Sequence, residues 1–270
     1  MIRSFHFIPG NRKNLFSKIQ SINADGIIFD LEDAVPAGAK VNAAEHILEY
    51  IRRNQTLTNI YVRIEPLFPE ATEVLSPVIN ESNIGIVLPK IESKGQIQSF
   101  IDEHMAGSHN RIIAIIETYK GLTKLPEIAE HEQLVGLGIG FEDLFSTDIF
   151  TLSEFDDFAK NARFQLALHA KTHELYAIDG ISTEINDFKA IKTQVLQGRS
   201  CGMTSQFTIH PNQIDIVNQV YSPSKESMVE AKLIASKTNL KDEIQGYQRI
   251  DDLIISPPKI KKAKHILKYL

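Results

Sequence analysis

A closed (β/α)8 TIM barrel is the fold class this sequence predicts, and three observations predict it. Eight short apolar, β-branched runs recur along 270 residues, each too brief for an independent helix. Segments with helical spacing separate most of them, the rhythm of parallel strands buried on both faces. Nearly every run opens into charged residues, which is how barrel strands deliver chemistry to their C-terminal rim.

The first run, Phe5 to Ile8, is halted by Pro9-Gly10, and Asn11 to Ile22 follows with Leu15, Phe16, Ile19 and Ile22 at helical spacing. Gly26 to Phe29 is the second, ending in Asp30, Glu32 and Asp33. Ala39 to Arg53 then reads as a helix with Ala43, Ala44, Ile47, Leu48 and Ile51 inward. Ile60 to Arg63 is the third run and Gly85 to Leu88 the fourth, leading to Lys90. Between them, residues 65–83 are interrupted by proline and give the weakest pattern in the chain.

Ile112 to Ile116 opens into Glu117, and Leu134 to Ile139 opens into Gly140-Phe141-Glu142-Asp143, with a helical segment near residues 122–132 between them. A loop rich in Phe and Thr leads to a helix over Glu154–Glu174, with Phe158, Ala162, Leu166 and Ala170 as one stripe. Tyr176 to Asp179 is the seventh run and Phe207 to Ile209, meeting His210-Pro211, the eighth. The expected domain division is a barrel over 1–220 and a helical or lid segment over 221–270, packed on the barrel or on a neighbouring subunit. An open doubly wound sheet would share the βα rhythm. Gly136, Gly138 and Gly140 have the wrong spacing for a dinucleotide loop.

A hydrophobic fraction of 43%, a charged fraction of 23% and a net charge of −5 are those of an ordinary globular protein and argue against nucleic acid as partner. No stretch approaches the ~20 apolar residues of a membrane span. A single cysteine, Cys201, excludes an internal disulfide. The expectation is a cytoplasmic protein.

The strand exits assemble Asp30, Glu32, Asp33, Arg63, Lys90, Glu117, Asp143, Asp179 and His210 on one face. Glu117 and Asp143 suit a divalent cation, because hard ions such as Mg2+ take a few carboxylate oxygens plus water and substrate oxygens. Solvated loop acids would give the same pattern. Arg63 supplies a permanent planar cation for a carboxylate or enolate oxygen, or else a rim ion pair with Glu32 or Asp33. Those two acids are expected to orient Arg63 or metal-bound water. Cleaving a carbon–carbon bond beside a carbonyl requires stabilisation of the oxygen's developing charge, which a metal and an arginine provide together. His169 and His173, four residues apart, lack the intervening Glu of a zinc protease motif. His210 reads mainly as a turn residue.

The order of motifs resembles the citrate lyase β-subunit-like group of the HpcH/HpaI aldolase family. It runs through Arg3-Ser4, Phe7-Ile8-Pro9-Gly10-Asn11-Arg12, Phe29-Asp30-Leu31-Glu32-Asp33-Ala34-Val35, Val62-Arg63-Ile64 and Val87-Leu88-Pro89-Lys90-Ile91-Glu92-Ser93. It continues through Ile115-Ile116-Glu117-Thr118, Gly140-Phe141-Glu142-Asp143-Leu144, Ala177-Ile178-Asp179-Gly180 and Ile209-His210-Pro211. The resemblance implies a phosphoenolpyruvate/pyruvate-type barrel, homotrimeric or hexameric, that cleaves a 2-hydroxy acid or its coenzyme A thioester with Mg2+. It places the metal on Glu117 and Asp143, and substrate on Arg63, Glu117, Gly140, Glu142 and Asp143. Arg63, Glu32 and Asp33 are the expected catalytic groups. Two departures stand out. Ser205-Gln206 replaces a Gly-Lys pair, removing a cation expected near the eighth strand's exit. Ser256 falls where thioester lyases carry an Asp lent by a neighbouring subunit, and serine cannot simply replace a carboxylate as acid or base. These departures support an alternative, a barrel that binds metal and an oxo acid without lyase turnover.

Overall fold

The computed structural model describes residues 1–64, 69–79, 84–105, 110–146, 156–238, 246–250 and 253–268. Eight parallel strands close into a barrel: β1 Ser4–Pro9, β2 Gly26–Asp30, β3 Ile60–Arg63, β4 Ile84–Leu88, β5 Ile112–Ile116, β6 Leu134–Ile139, β7 Tyr176–Asp179 and β8 Ser205–Thr208. β1 pairs with both β2 and β8, so the ring has no free edge. Four strands, β2, β4, β5 and β8, are buried at every residue; β4 and β5 are accordingly apolar or glycine throughout, while β2 ends in Asp30 and β8 carries Ser205, Gln206 and Thr208.

The barrel interior is packed solid. Phe5, Ile28, Tyr61, Val87, Ile113, Ile115, Ile178 and Phe207 form one cluster with Ile2. Phe5 meets Tyr61, Tyr176 and Phe207 edge-on at 5.5, 5.9 and 6.2 Å, the arrangement aromatic quadrupoles favour. Gly138 makes room for this filling. A Cβ there would fall 2.4 Å from the Phe207 ring. The glycines of β6 therefore serve packing.

Several elements differ from expectation. The helix expected over Asn11–Ile22 is a single turn, Lys13–Phe16, followed by a 3-10 turn, Ile19–Ser21. Ser17 and Ser21 hydroxyls donate to the carbonyls of Asn14 and Lys18, a local alternative to continued helix. The segment near 122–132 is two short helices, Tyr119–Thr123 and Leu125–Ala129, the second opening with Pro126 in its first turn. The weak segment contains a helix, Pro69–Ile79. The Phe- and Thr-rich loop and the start of the next helix lie largely outside the described residues; Asp156–Thr172 is helical, with Phe158 partly exposed at the edge of the expected stripe.

Two compact units divide the chain, Ile2–Val220 and Tyr221–Leu270 with Met1. The second contains helices Lys225–Lys237 and Pro257–Leu267, joined through Ala231, Ile234, Ile255, Ile260, Ala263 and Ile266. An antiparallel pair, β9 Gln248–Ile250 and β10 Leu253–Ile255, accompanies them. Ser224 caps the first helix by accepting from Ser227 N–H. Ser256, buried, stands at the second helix's N-cap without a side-chain cap bond. No helix among the described residues is long and apolar enough to cross a membrane.

Candidate active site

A cavity of about 400 Å3 lies at the C-terminal mouth of the barrel. Its apolar lining includes Phe7, Ile115, Ile139, Phe141, Ile181 and Phe207, and its polar lining Asp30, Asp33, Arg63, Glu117, Gly140, Glu142 and Asp143. Neighbouring parallel strands in register bring their exits level. Asp30 and Arg63 are direct partners across the β2–β3 ladder.

Arg63 is the fixed cation of this site. Its Nε and Nη2 donate to the two Asp30 oxygens at 2.6 and 2.7 Å, a bidentate fork, and Nη1 lies 2.9 Å from Glu32 Oε2. Asp30 is held in turn by the backbone N–H groups of Glu32 and Ala34. The guanidinium rests over the Phe7 ring at 4.7 Å. Burial opposes its charge, but hydrogen bonds and charge from Asp30, with Glu32, outweigh that and move its pKa upward. Two of its five N–H groups donate to Asp30, and Nη1 faces Glu32 at ion-pair distance.

The expected partners of Arg63 were Glu32 or Asp33. Glu32 meets that expectation, but the fork goes to Asp30, and Asp33 is exposed at the cavity rim. Glu32 is buried, with its oxygens at ion-pair distance from Arg63 and, at 3.1 Å, from Lys90 Nζ, neither contact being an aligned hydrogen bond. Burial raises its pKa against the pull of both cations.

Glu117 is 4% exposed. Its Oε1 accepts from Lys90 N–H at 2.8 Å. Lys90 presents that N–H from a left-handed backbone, φ 53°, a conformation costly for a residue with a Cβ. Burial first, then the charges of Glu32 and Asp143, push the Glu117 carboxyl up to about 8; the Lys90 N–H and Arg63 oppose this. Gly140 closes over the same carboxylate, where a Cβ would sit 2.4 Å from Oε2. Asp143 and exposed Glu142 follow on the one-turn helix Phe141–Leu144.

This donor set fits a divalent cation. Burial and the nearby charges of Glu32 and Asp143 disfavour the ionised Glu117 carboxylate, which a cation would relieve. Among the described residues no three His, Cys, Asp or Glu form a ready metal cage. Mg2+ characteristically uses one or two carboxylates and keeps other positions for water and substrate.

Two exit residues are placed elsewhere. Asp179 is fully buried and turned to Arg163 on helix Asp156–Thr172, since an acid at a strand end can face the helix layer as readily as the mouth. His210 lines a second cavity of about 560 Å3, together with His6, Lys18 and Asp215. Phe7, Pro9 and Ile209 line both cavities. Burial first, then the charge of His210, lowers the His6 pKa to about 4, and its Nδ1 lies 3.0 Å from Thr208 Oγ1. Gln206, expected to mark a lost cation near the eighth exit, is a buried residue within β8, paired in register with Ser4 and Asp179. It does not line the mouth cavity.

A model of the HpcH/HpaI aldolase/citrate lyase family matches residues 3–211, the whole span that builds this mouth. The chain belongs to that family. Among similar proteins, a (3S)-malyl-CoA thioesterase of Cereibacter sphaeroides is 28% identical over 98% of this chain and 93% of its own length. The mitochondrial citramalyl-CoA lyase of Homo sapiens is 28% identical over 97% of this chain and 84% of its own. The family fold is equally clear in three dimensions. CitE from Mycobacterium tuberculosis, solved in complex with magnesium, acetoacetate and coenzyme A, superposes with a TM-score of 0.72 at 25% identity, covering 98% of this chain and 97% of that one.

Proposed function

We propose that this protein is a Mg2+-dependent carbon–carbon lyase that cleaves a 2-hydroxy acid or its coenzyme A thioester into two carbonyl fragments. The observation that carries this reading is the single cavity that gathers Glu117, Asp143 and Arg63 at the barrel mouth. Glu117 and Asp143 would hold the cation, which when bound supplies Lewis-acid polarisation of a substrate carbonyl. Arg63, fixed by Asp30 and Glu32, directs its remaining N–H groups to a substrate carboxylate or to the oxygen on which charge develops as the bond breaks. The apolar floor of Ile115, Ile181 and Phe207 limits water around that charge.

A thioester reading draws support from the second cavity, which shares a wall with the first and offers Lys18 as a cation. The thioesterase and lyase relatives, both named for coenzyme A thioesters, and the coenzyme A in the CitE complex agree with it. Exposed Phe164 and Leu168, one turn apart, with Phe188 and Leu196 on the neighbouring helix Phe188–Ser200, support self-association as a trimer or hexamer. We place the protein in the cytoplasm.

The test is incubation of purified protein and Mg2+ with hydroxy acids and hydroxyacyl-CoA thioesters. Expected products are pyruvate, glyoxylate or oxaloacetate with an acetyl fragment, and Glu117→Ala or Asp143→Ala should abolish them. Free hydroxy acid plus coenzyme A would mean thioester hydrolysis, and turnover surviving either substitution would refute the site. Ser256 favours a second reading, binding of metal and oxo acid without turnover. Saturable binding of Mg2+ and an oxo acid, with no product across the panel, would establish it.

A further inference from the structure

One buried ion pair has no part in that scheme. Asp179 Oδ1 accepts from Arg163 Nε at 2.8 Å and from Gly180 N–H at 2.9 Å, while Oδ2 has no partner among the described residues. Arg163, 2% exposed, stands on its helix among buried Ala159, Ala162, Leu166 and Ala170. Its guanidinium carbon lies 4.5 Å from the centroid of the Phe141 ring. At the ring's edge, the close backbone of Gly180 leaves no space, because a Cβ would come within 3.0 Å of Phe141 Cδ2. Phe141 is therefore held between a buried cation and the chain that follows β7.

Phe141 begins the one-turn helix that carries Asp143. A single turn cannot sustain its own geometry, and Gly140, at its N-cap, contributes no side-chain cap. The helix anchors itself through buried Phe141 and Leu144. A buried ion pair is seldom the most stabilising way to fill such a space, since apolar residues of similar volume often serve as well. A cation beneath an aromatic face, by contrast, fixes the ring in place.

We propose that Asp179 and Arg163 are positioning residues that fix Phe141, and through it the turn that presents Asp143 to the cavity beside Glu117. The inference rests on the function proposed above, in which Asp143 holds the cation.

The test uses the full chain with Arg163→Met, Asp179→Asn and the double variant Arg163→Met/Asp179→Asn. Losing the arginine alone strands a buried carboxylate and lowers Tm. The double variant removes both charges and should melt near the wild type, yet bind Mg2+ at least about tenfold more weakly by calorimetry, the size typical when groups that orient ligands are lost. Its kcat should fall by a similar factor, with KM for the organic substrate changing less than about threefold. Arg163→Lys, which restores charge without the planar fork, should recover part of the Mg2+ affinity. Phe141→Leu, which leaves the ion pair intact, should reproduce the loss and decides the matter if the double variant does not fold. Wild-type Mg2+ affinity in Phe141→Leu or in a folded double variant overturns the inference while leaving the function intact. Wild-type protein that binds no Mg2+, or binding unaffected by Asp143→Ala, brings down the site reading and this inference with it.

Discussion

At Glu117 the cavity's charge has a consequence that pH can read. Its folded-state pKa of about 8 lies above the ordinary 4.5, so between those values the folded protein binds more protons than the unfolded chain. Stability contributed by that proton is complete below pH 4.5 and is lost as pH rises toward 8, by at most about 1.4 kcal/mol per unit. Buried Glu32 and Asp179 shift in the same direction, so the comparison that isolates Glu117 is with Glu117→Gln. Calorimetry of the metal-free protein should show Tm falling between pH 5 and 8, with a shallower fall in the variant. Equal slopes would refute the assignment. Single residues were unevenly legible in the sequence. Glu117 and Arg63 stood out because each directly follows an apolar run, and Asp143 because it closes the short Gly140-Phe141-Glu142 exit of another. Asp30 as the partner of Arg63 did not, since that contact depends on the register between β2 and β3, which neither strand's sequence states. Asp179 was misread for a related reason. The overlooked signal was Arg163, a charge set into an apolar helical stripe.

Seven strands of the barrel were legible as elements, nearly residue for residue, because burial leaves them mostly apolar; β8 begins at Ser205, two residues before the expected Phe207, because its buried Ser205 and Gln206 are polar and interrupt the pattern. The helices were less so. Around them, short-range hydrogen bonds such as that of Ser17 to the Asn14 carbonyl compete with the pattern, and hydrophobic spacing cannot register them. Helix ends also carry strain. Glu174, two residues beyond helix Asp156–Thr172, is exposed in a left-handed conformation, φ 58°, while Leu175 N–H reaches back to the Ala170 carbonyl. Glycine suits that position better than any residue with a Cβ. Glu174→Gly should stabilise the protein by roughly 0.5–1 kcal/mol net of the added freedom of the unfolded chain, raising Tm with activity unchanged. A lower Tm would show that the Glu174 side chain contributes more than its backbone costs.

For the whole molecule, two acids and a guanidinium converge only because eight separate strand ends are held level by one ring. The sequence conveyed the ring through the count and rhythm of its strands. Ser256 belongs to a different unit, which has its own core. Closure also imposes a schedule on biosynthesis. The seam between β1 and β8 joins partners such as His6 and Thr208, 202 positions apart, so the earliest strand to leave the ribosome must wait for nearly the entire barrel to be translated before its second neighbour exists. Stalled nascent chains ending before residue 200 should therefore remain open to protease along β1, while chains extended well past Tyr221 should be protected. Protection at the shorter length would mean that seven strands can shield the first without the eighth.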